Sequence, residues 1–167
     1  MEVVKEFVVK GYVDDSFDTH LDDSKSQSGY IFILNCGAVI WCSSKQSVVA
    51  DSTCEGEYIV ASEAAKEGVW MKEFVTNLGV VPSALDPMTM FYDNTGAIAL
   101  AKEPRFHKRT RHIKRQLNSI CNYIKEEDIH ICKVHTDLNV ADPLTNPFPR
   151  AKHDQHQNCM GVRFIPM

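Results

Sequence analysis

The sequence predicts an α/β domain on a five-stranded mixed sheet, three antiparallel strands followed by two further strands, with helices on its faces. Three observations predict it. Three β-rich runs follow one another without a helical stretch between them. Near Ser52 the apolar period switches from strand-like to helix-like. After that point, β-rich runs alternate with helical segments.

The first run, Phe7 to Val13, gives way to a stretch holding Asp14, Asp15, Asp18, Asp22 and Asp23 with no Lys or Arg. Gly29–Leu34 and Ala38–Trp41 form a hairpin about Asn35-Cys36-Gly37, where Asn and Gly suit positive φ. Ser52-Thr53-Cys54-Glu55 has the form of a capping box and opens a helix to about Leu78. Ala61, Ala64, Gly68, Met71, Val75 and Leu78 make its inward stripe, and Gly79 stops it. After a proline-containing linker from Val80 to Pro87 comes a strand, Thr89–Tyr92. Asn94–Lys102 and Thr110–Lys125 are expected helices. Ile129–Val134 is the fifth strand, and Leu138–Leu144 a short helix. Beyond Pro149 no pattern stands out, so the division is a domain over 1–150 and a tail over 151–167.

Composition excludes several classes. Apolar residues are 44% and charged residues 24% of the 167-residue chain, the balance of a globular protein. No apolar run reaches the 18 or so residues that span a bilayer, so no membrane partner is expected. The N-terminal residues lack the pattern of a secretory signal. Six cysteines without a CxxC pair are expected as reduced thiols, in a cytoplasmic or nuclear setting. The start at Met1 suggests a stand-alone or excised module.

The informative charges are acids where burial is expected. One turn back from Ala61 the helix stripe passes through Glu57, whereas Glu55 serves the cap. Asp14 ends the first strand and Asp93 the fourth, and strand ends are where functional groups collect in α/β sheets. Each could equally be a turn or cap residue. Asp142 sits among Val140, Ala141 and Leu144, and alone would be a solvated acid. As a set, four carboxylates could converge only if something offsets their repulsion. Hard oxygen ligands select Mg²⁺ or Mn²⁺, and paired ions are common apparatus for phosphodiester cleavage.

Seven short motifs carry a family resemblance. They are Gly11-Tyr12-Val13-Asp14, Ser26-Gln27-Ser28-Gly29-Tyr30, Ser43-Ser44-Lys45-Gln46, Ala50 to Tyr58, Ala61 to Glu67, Asp93 to Ala99, and Ala141-Asp142-Pro143-Leu144-Thr145. In this order and spacing the chain resembles the ribonuclease H domain of copia-type retrotransposon reverse transcriptases, plant copies in particular. The resemblance implies a ribonuclease H-like fold and endonucleolytic cleavage of the RNA strand of RNA–DNA hybrids. It places catalytic, metal-holding acids at Asp14, Glu57, Asp93 and Asp142, with two Mg²⁺ or Mn²⁺ ions. An upstream polymerase domain or a host protein is a further expected partner. Three positions depart from the family pattern: Asp15 for a small residue, Gly56 for Ala, and Asn146 for a frequent Lys.

Lys102, Arg105, Lys108, Arg109, Arg111, Lys114 and Arg115 concentrate positive charge in a chain of net charge −4. With His112, they are expected to contact the hybrid backbone rather than form a merely solvated surface. His135, seven residues before Asp142, is a candidate for assisting product release by analogy with cellular ribonucleases H. His153, His156 and Cys159 form a weak zinc candidate. The alternative to catalysis is a domesticated or decayed module that binds nucleic acid or a host protein. An integrase-type core, which shares the fold, fits less well because the helix Glu comes early and the last acid is Asp142.

Overall fold

The computed structural model describes residues 8–20, 25–50, 52–79, 86–95, 98 and 111–163. Its strands are β1 (Val9–His20), β2 (Lys25–Leu34), β3 (Gly37–Lys45), β4 (Met88–Tyr92) and β5 (Ile129–Lys133). The helices are α1 (Thr53–Leu78), α2 (Arg111–Lys125) and α3 (Arg150–Cys159), with 3₁₀ turns at Thr136–Leu138 and Asp142–Leu144. The sheet order is β3-β2-β1-β4-β5. β3, β2 and β1 are antiparallel neighbours; β1, β4 and β5 run parallel. This is the mixed five-stranded sheet the sequence predicts.

The strands are longer than their apolar runs. β1 does not stop at Val13: Asp14, Asp15 and Ser16 stay in register opposite Gly29, Ser28 and Gln27. Asp14 therefore sits within a strand rather than at its end. Gly29, Ser28 and Gln27 keep β2 in the ladder there without adding large apolar side chains. The hairpin also differs in detail. Asn35 and Cys36 take positive φ (49° and 69°), while Gly37 begins β3. Two positive-φ residues match the twist of the flanking strands.

α1 begins as expected, with Ser52 Oγ accepting from the Glu55 amide, and ends on Gly79 in the left-handed region (φ 66°). Ala61, Ala64, Met71 and Val75 are buried, and Gly68 lets the helix sit close to Phe32 and Met88. Leu78 departs from the expected stripe and is exposed. It sits in the last turn, next to the Gly79 stop. α1 packs against the sheet and against α2, with Val13, Phe32, Tyr58, Val60, Met90, Tyr92, Ile120 and Ile131 in one core. The other face of the sheet holds a smaller core of Ile31, Ile33, Val140 and Ala141, with Tyr12, Leu144 and Met160 against it.

Of the expected helix over Asn94–Lys102, only Asn94, Thr95 and Ile98 lie within the described residues. The expected helix over Leu138–Leu144 is instead two 3₁₀ turns, because Asn139 interrupts it. Asn139 is fully buried: Nδ2 donates to the Val13 carbonyl (3.0 Å) and Oδ1 accepts from the Ala141 amide (3.2 Å). Residues 150–159, which show no sequence pattern, form α3, and the Ala38 amide donates to the Met160 carbonyl (2.8 Å). Met160, just after α3, is thereby bonded to the start of β3.

Gly29 is required by a close approach. A Cβ there would stand 2.8 Å from Thr145 Cγ2 and 2.9 Å from Leu144 Cβ. Gly29→Ala is expected to push the 142–145 segment off the sheet and destabilise by about 1–3 kcal/mol. Urea unfolding checks it, and a change below about 0.5 kcal/mol would mean that the segment yields freely.

A candidate metal centre at the end of the sheet

Strand register brings two acids together. Val13 lies opposite Tyr92 in the parallel pair β1–β4, so the next residues, Asp14 and Asp93, emerge side by side. α1 crosses this end of the sheet with Glu57 in its first turns. Among the described residues, Asp14, Glu57 and Asp93 each offer a carboxylate oxygen within 4.8 Å of the others. These are three of the four acids the sequence singles out.

Asp142 stands beside this group rather than in it. Its Oδ1 accepts from Asn146 Nδ2 (2.8 Å), and the same nitrogen lies 3.4 Å from Asp14 Oδ2. Its charge still reaches Asp14. Thr145 Oγ1 donates to Asp14 Oδ2 and lies 3.0 Å from the Asp142 carbonyl. Asn139 lies outside the motifs, and Thr145 and Asn146, at the end of the last one and just past it, carry no role in the sequence reading; all three support the site. The signal was present in the spacing: Asn146 follows Asp142 by four residues, one helical turn.

The electrostatics are those of a site short of positive charge. Burial pushes the Glu57 carboxyl up to about 9, and the charges of Asp14, Asp93 and Asp15 push the same way, against an Asn94 hydrogen bond. Burial raises Asp14 to about 7, with Asp93 and Asp142 adding to it; the Thr145 hydroxyl and the Asp15 amide oppose. Glu57 Oε2 is buried without a hydrogen-bond partner. Among the described residues no Lys, Arg or His forms an ion pair with any of the four acids. A buried orphan oxygen within a triad of carboxylates fits a hard divalent cation, which takes oxygen ligands of this kind.

A second polar cluster lies behind the first. Gln46 is buried, with Nε2 at 2.8 Å from Asp15 Oδ1, 3.0 Å from Ser28 Oγ and 3.0 Å from the Gly56 carbonyl. It ties β1 and β2 to the peptide that precedes Glu57. A Cβ on Gly56 would stand 2.3 Å from Asp15 Oδ2. The departures at 15 and 56 are therefore one exchange: a larger side chain on the strand, a smaller one on the helix. Burial, with the Asp14 charge, raises Asp15 to about 7.

The remaining candidates lie elsewhere or outside the described residues. Lys102, Arg105, Lys108 and Arg109 lie outside them; Arg111, His112, Lys114 and Arg115 open α2. His135 is exposed on the turn after β5, its Nδ1 accepting from the Asp137 amide (3.3 Å) and facing the Asp137 carboxylate (3.5 Å). His153, His156 and Cys159 do not form a metal group among the described residues. His156 is instead buried and stacked on Phe148, ring centroids 5.5 Å apart. The five cysteines described are free thiols.

The fold is that of ribonuclease H. LC11-RNase H1, isolated from compost, superposes with a TM-score of 0.60 at 14% identity, covering 83% of this chain and 93% of that one. The ribonuclease H1 of Halobacterium salinarum gives 0.54 at 16%, covering 83% and 94%. A scan against protein-family models finds no match. In sequence, the chain is 36% identical over 155 residues to the retrovirus-related Pol polyprotein of transposon TNT 1-94 from Nicotiana tabacum. It is 32% identical over 155 residues to that of transposon RE2 from Arabidopsis thaliana. Each match covers 93% of this chain but only 11% and 10% of the polyproteins. The chain is a homologue of one segment of the Pol polyproteins of plant copia-type retrotransposons, as its motifs imply.

Two predictions follow from this geometry. Without metal, the raised carboxyls bind protons that the unfolded chain has released, so their stabilisation is present at low pH and lost as pH rises through about 7 and then 9. Calorimetry in EDTA should show Tm falling between pH 5 and pH 9, and Mg²⁺ or Mn²⁺ at pH 8 should raise it again. A flat Tm in EDTA would contradict the site's charge balance. Gly56→Ala should destabilise by about 1–3 kcal/mol despite alanine's better helix propensity. In an Asp15→Ala background the same change should become stabilising, which denaturant unfolding of the four proteins measures.

Proposed function

We propose that the chain is a divalent-metal-dependent endonuclease that cleaves the RNA strand of RNA–DNA hybrids. The observation that carries this reading is the convergence of Asp14, Glu57 and Asp93 about a buried, unpartnered Glu57 oxygen. The ribonuclease H fold supports the substrate class, and LC11-RNase H1 has been solved in complex with an RNA/DNA hybrid. The homologous segments belong to retrovirus-related Pol polyproteins of plant transposons, which supports this reading.

Asp14, Glu57 and Asp93 would hold the metal, with Asp142 completing the set from the 3₁₀ turn. When bound there, a pair of Mg²⁺ or Mn²⁺ ions supplies an activated water and offsets charge on the leaving 3′-oxygen. Thr145 and Asn146 fix carboxylate rotamers, so that little reorganisation is needed when substrate arrives. The raised carboxyls of Asp14 and Glu57 must lose their protons to become ligands, so metal uptake releases protons and strengthens with pH. Products would carry 5′-phosphate and 3′-hydroxyl ends. The basic stretch from Lys102 to Arg115 would lie along the hybrid backbone, and His135 would assist departure of product.

The direct test is cleavage of a labelled RNA–DNA hybrid with Mg²⁺ or Mn²⁺ and an EDTA control. Asp14→Asn and Asp93→Asn should each lower the rate by at least about 100-fold. Removing one uncompensated carboxylate should leave the metal-free fold as stable or more stable, by about 1–3 kcal/mol. Retained metal-dependent cleavage in either variant would refute the assignment. Charge reversal at Arg109 and Arg111 should weaken hybrid binding and flatten its dependence on salt. An unchanged salt slope would show those side chains to be merely solvated.

A further inference from the structure

Resting on the metal-centre reading, we propose that Asn146 is a positioning residue that sets the centre's affinity for divalent cations by bridging two of its carboxylates through a neutral amide. Asp142 lies outside the triad formed by Asp14, Glu57 and Asp93, and Asn146 links it to them. Its Nδ2 lies 2.8 Å from Asp142 Oδ1 and 3.4 Å from Asp14 Oδ2. At its other end, Oδ1 accepts from Ser16 Oγ on β1 (3.0 Å). Ionised carboxylates only accept, so the amide must present its NH₂ to them and its oxygen to the serine hydroxyl. The backbone holds it there: the Asn146 amide donates to the Asp142 carbonyl (3.0 Å), one turn back.

A donor of this type does something that a cation cannot. Two hydrogens on one nitrogen draw two acids toward each other while adding no positive charge. The attraction that the four acids exert on a divalent ion is therefore kept. An ammonium in the same place would neutralise part of that field and compete with the ion for the same oxygens. Losing the donor would instead free the Asp142 carboxylate to turn toward solvent. Both changes should weaken metal binding, by different routes. Outer-shell partners of metal ligands typically govern affinity over about 10–100-fold.

The experiment is direct titration of the full chain with Mn²⁺ alone, by calorimetry or by electron paramagnetic resonance of the free ion, at pH 8. Wild type, Asn146→Ala, Asn146→Lys and Ser43→Ala are compared, with Tm recorded for each. Ser43 is the control because its Oγ donates to the Leu144 carbonyl (2.6 Å), tethering the same segment without touching an acid. Asn146→Ala and Asn146→Lys should each weaken Mn²⁺ at least about tenfold, and Ser43→Ala should lower Tm while leaving Mn²⁺ affinity within about twofold. Equal affinity in wild type and both Asn146 variants overturns the proposal and leaves the metal centre standing. Loss of affinity in Ser43→Ala as large as in Asn146→Ala also overturns it, because docking of the segment would then be what matters. No Mn²⁺ binding by wild type overturns this proposal and the metal centre together.

Discussion

The arrangement of this protein turns on the repulsion and desolvation of acids crowded at one end of its sheet. Buried carboxylates carry a cost of several kcal/mol each when charged and unpaired. Asp14 and Glu57 are both buried, and Asp93 beside them is half-buried. Nothing in the apolar core requires them. What the surrounding fold supplies is a set of neutral donors: the Thr145 hydroxyl, the Asn146 amide, and the Asn94 hydrogen bond to Glu57. Neutral donors lessen the cost without cancelling the charge. A divalent cation is a partner that such a site could hold.

Much of this was legible in the sequence, for reasons that differ by residue. Glu57 shows itself because helix periodicity puts it on the stripe that faces the sheet. Asp93 shows itself because β4 is a short apolar run whose end is unambiguous. Asp14 is singled out by the apparent end of its strand, and the strand does not end there. Its strand continues through it, since Gly29, Ser28 and Gln27 opposite keep the backbone ladder going after the apolar pattern has stopped. Periodicity reports burial, and pairing does not need burial.

The supporting residues were less legible because their roles depend on contacts far apart in the chain. Thr145 meets Asp14 across 131 positions, and Asn139 meets the Val13 carbonyl across 126. Local pattern carries no trace of such contacts. α3 leaves no apolar pattern in the sequence because it is mostly polar and is held by one backbone bond at Met160 and the burial of His156. Asp15 and Gly56 look like two unrelated departures from the family pattern. In space they are neighbours, and each explains the other.

The central claim is that these carboxylates form a divalent cation site. Crystals of the chain soaked in Mn²⁺ test it most directly, through anomalous scattering at the manganese edge. The account predicts a peak within coordination distance, about 2.0–2.3 Å, of oxygens from Asp14, Glu57 and Asp93. Anomalous signal only elsewhere, with the three side chains still clustered and bare, would contradict it.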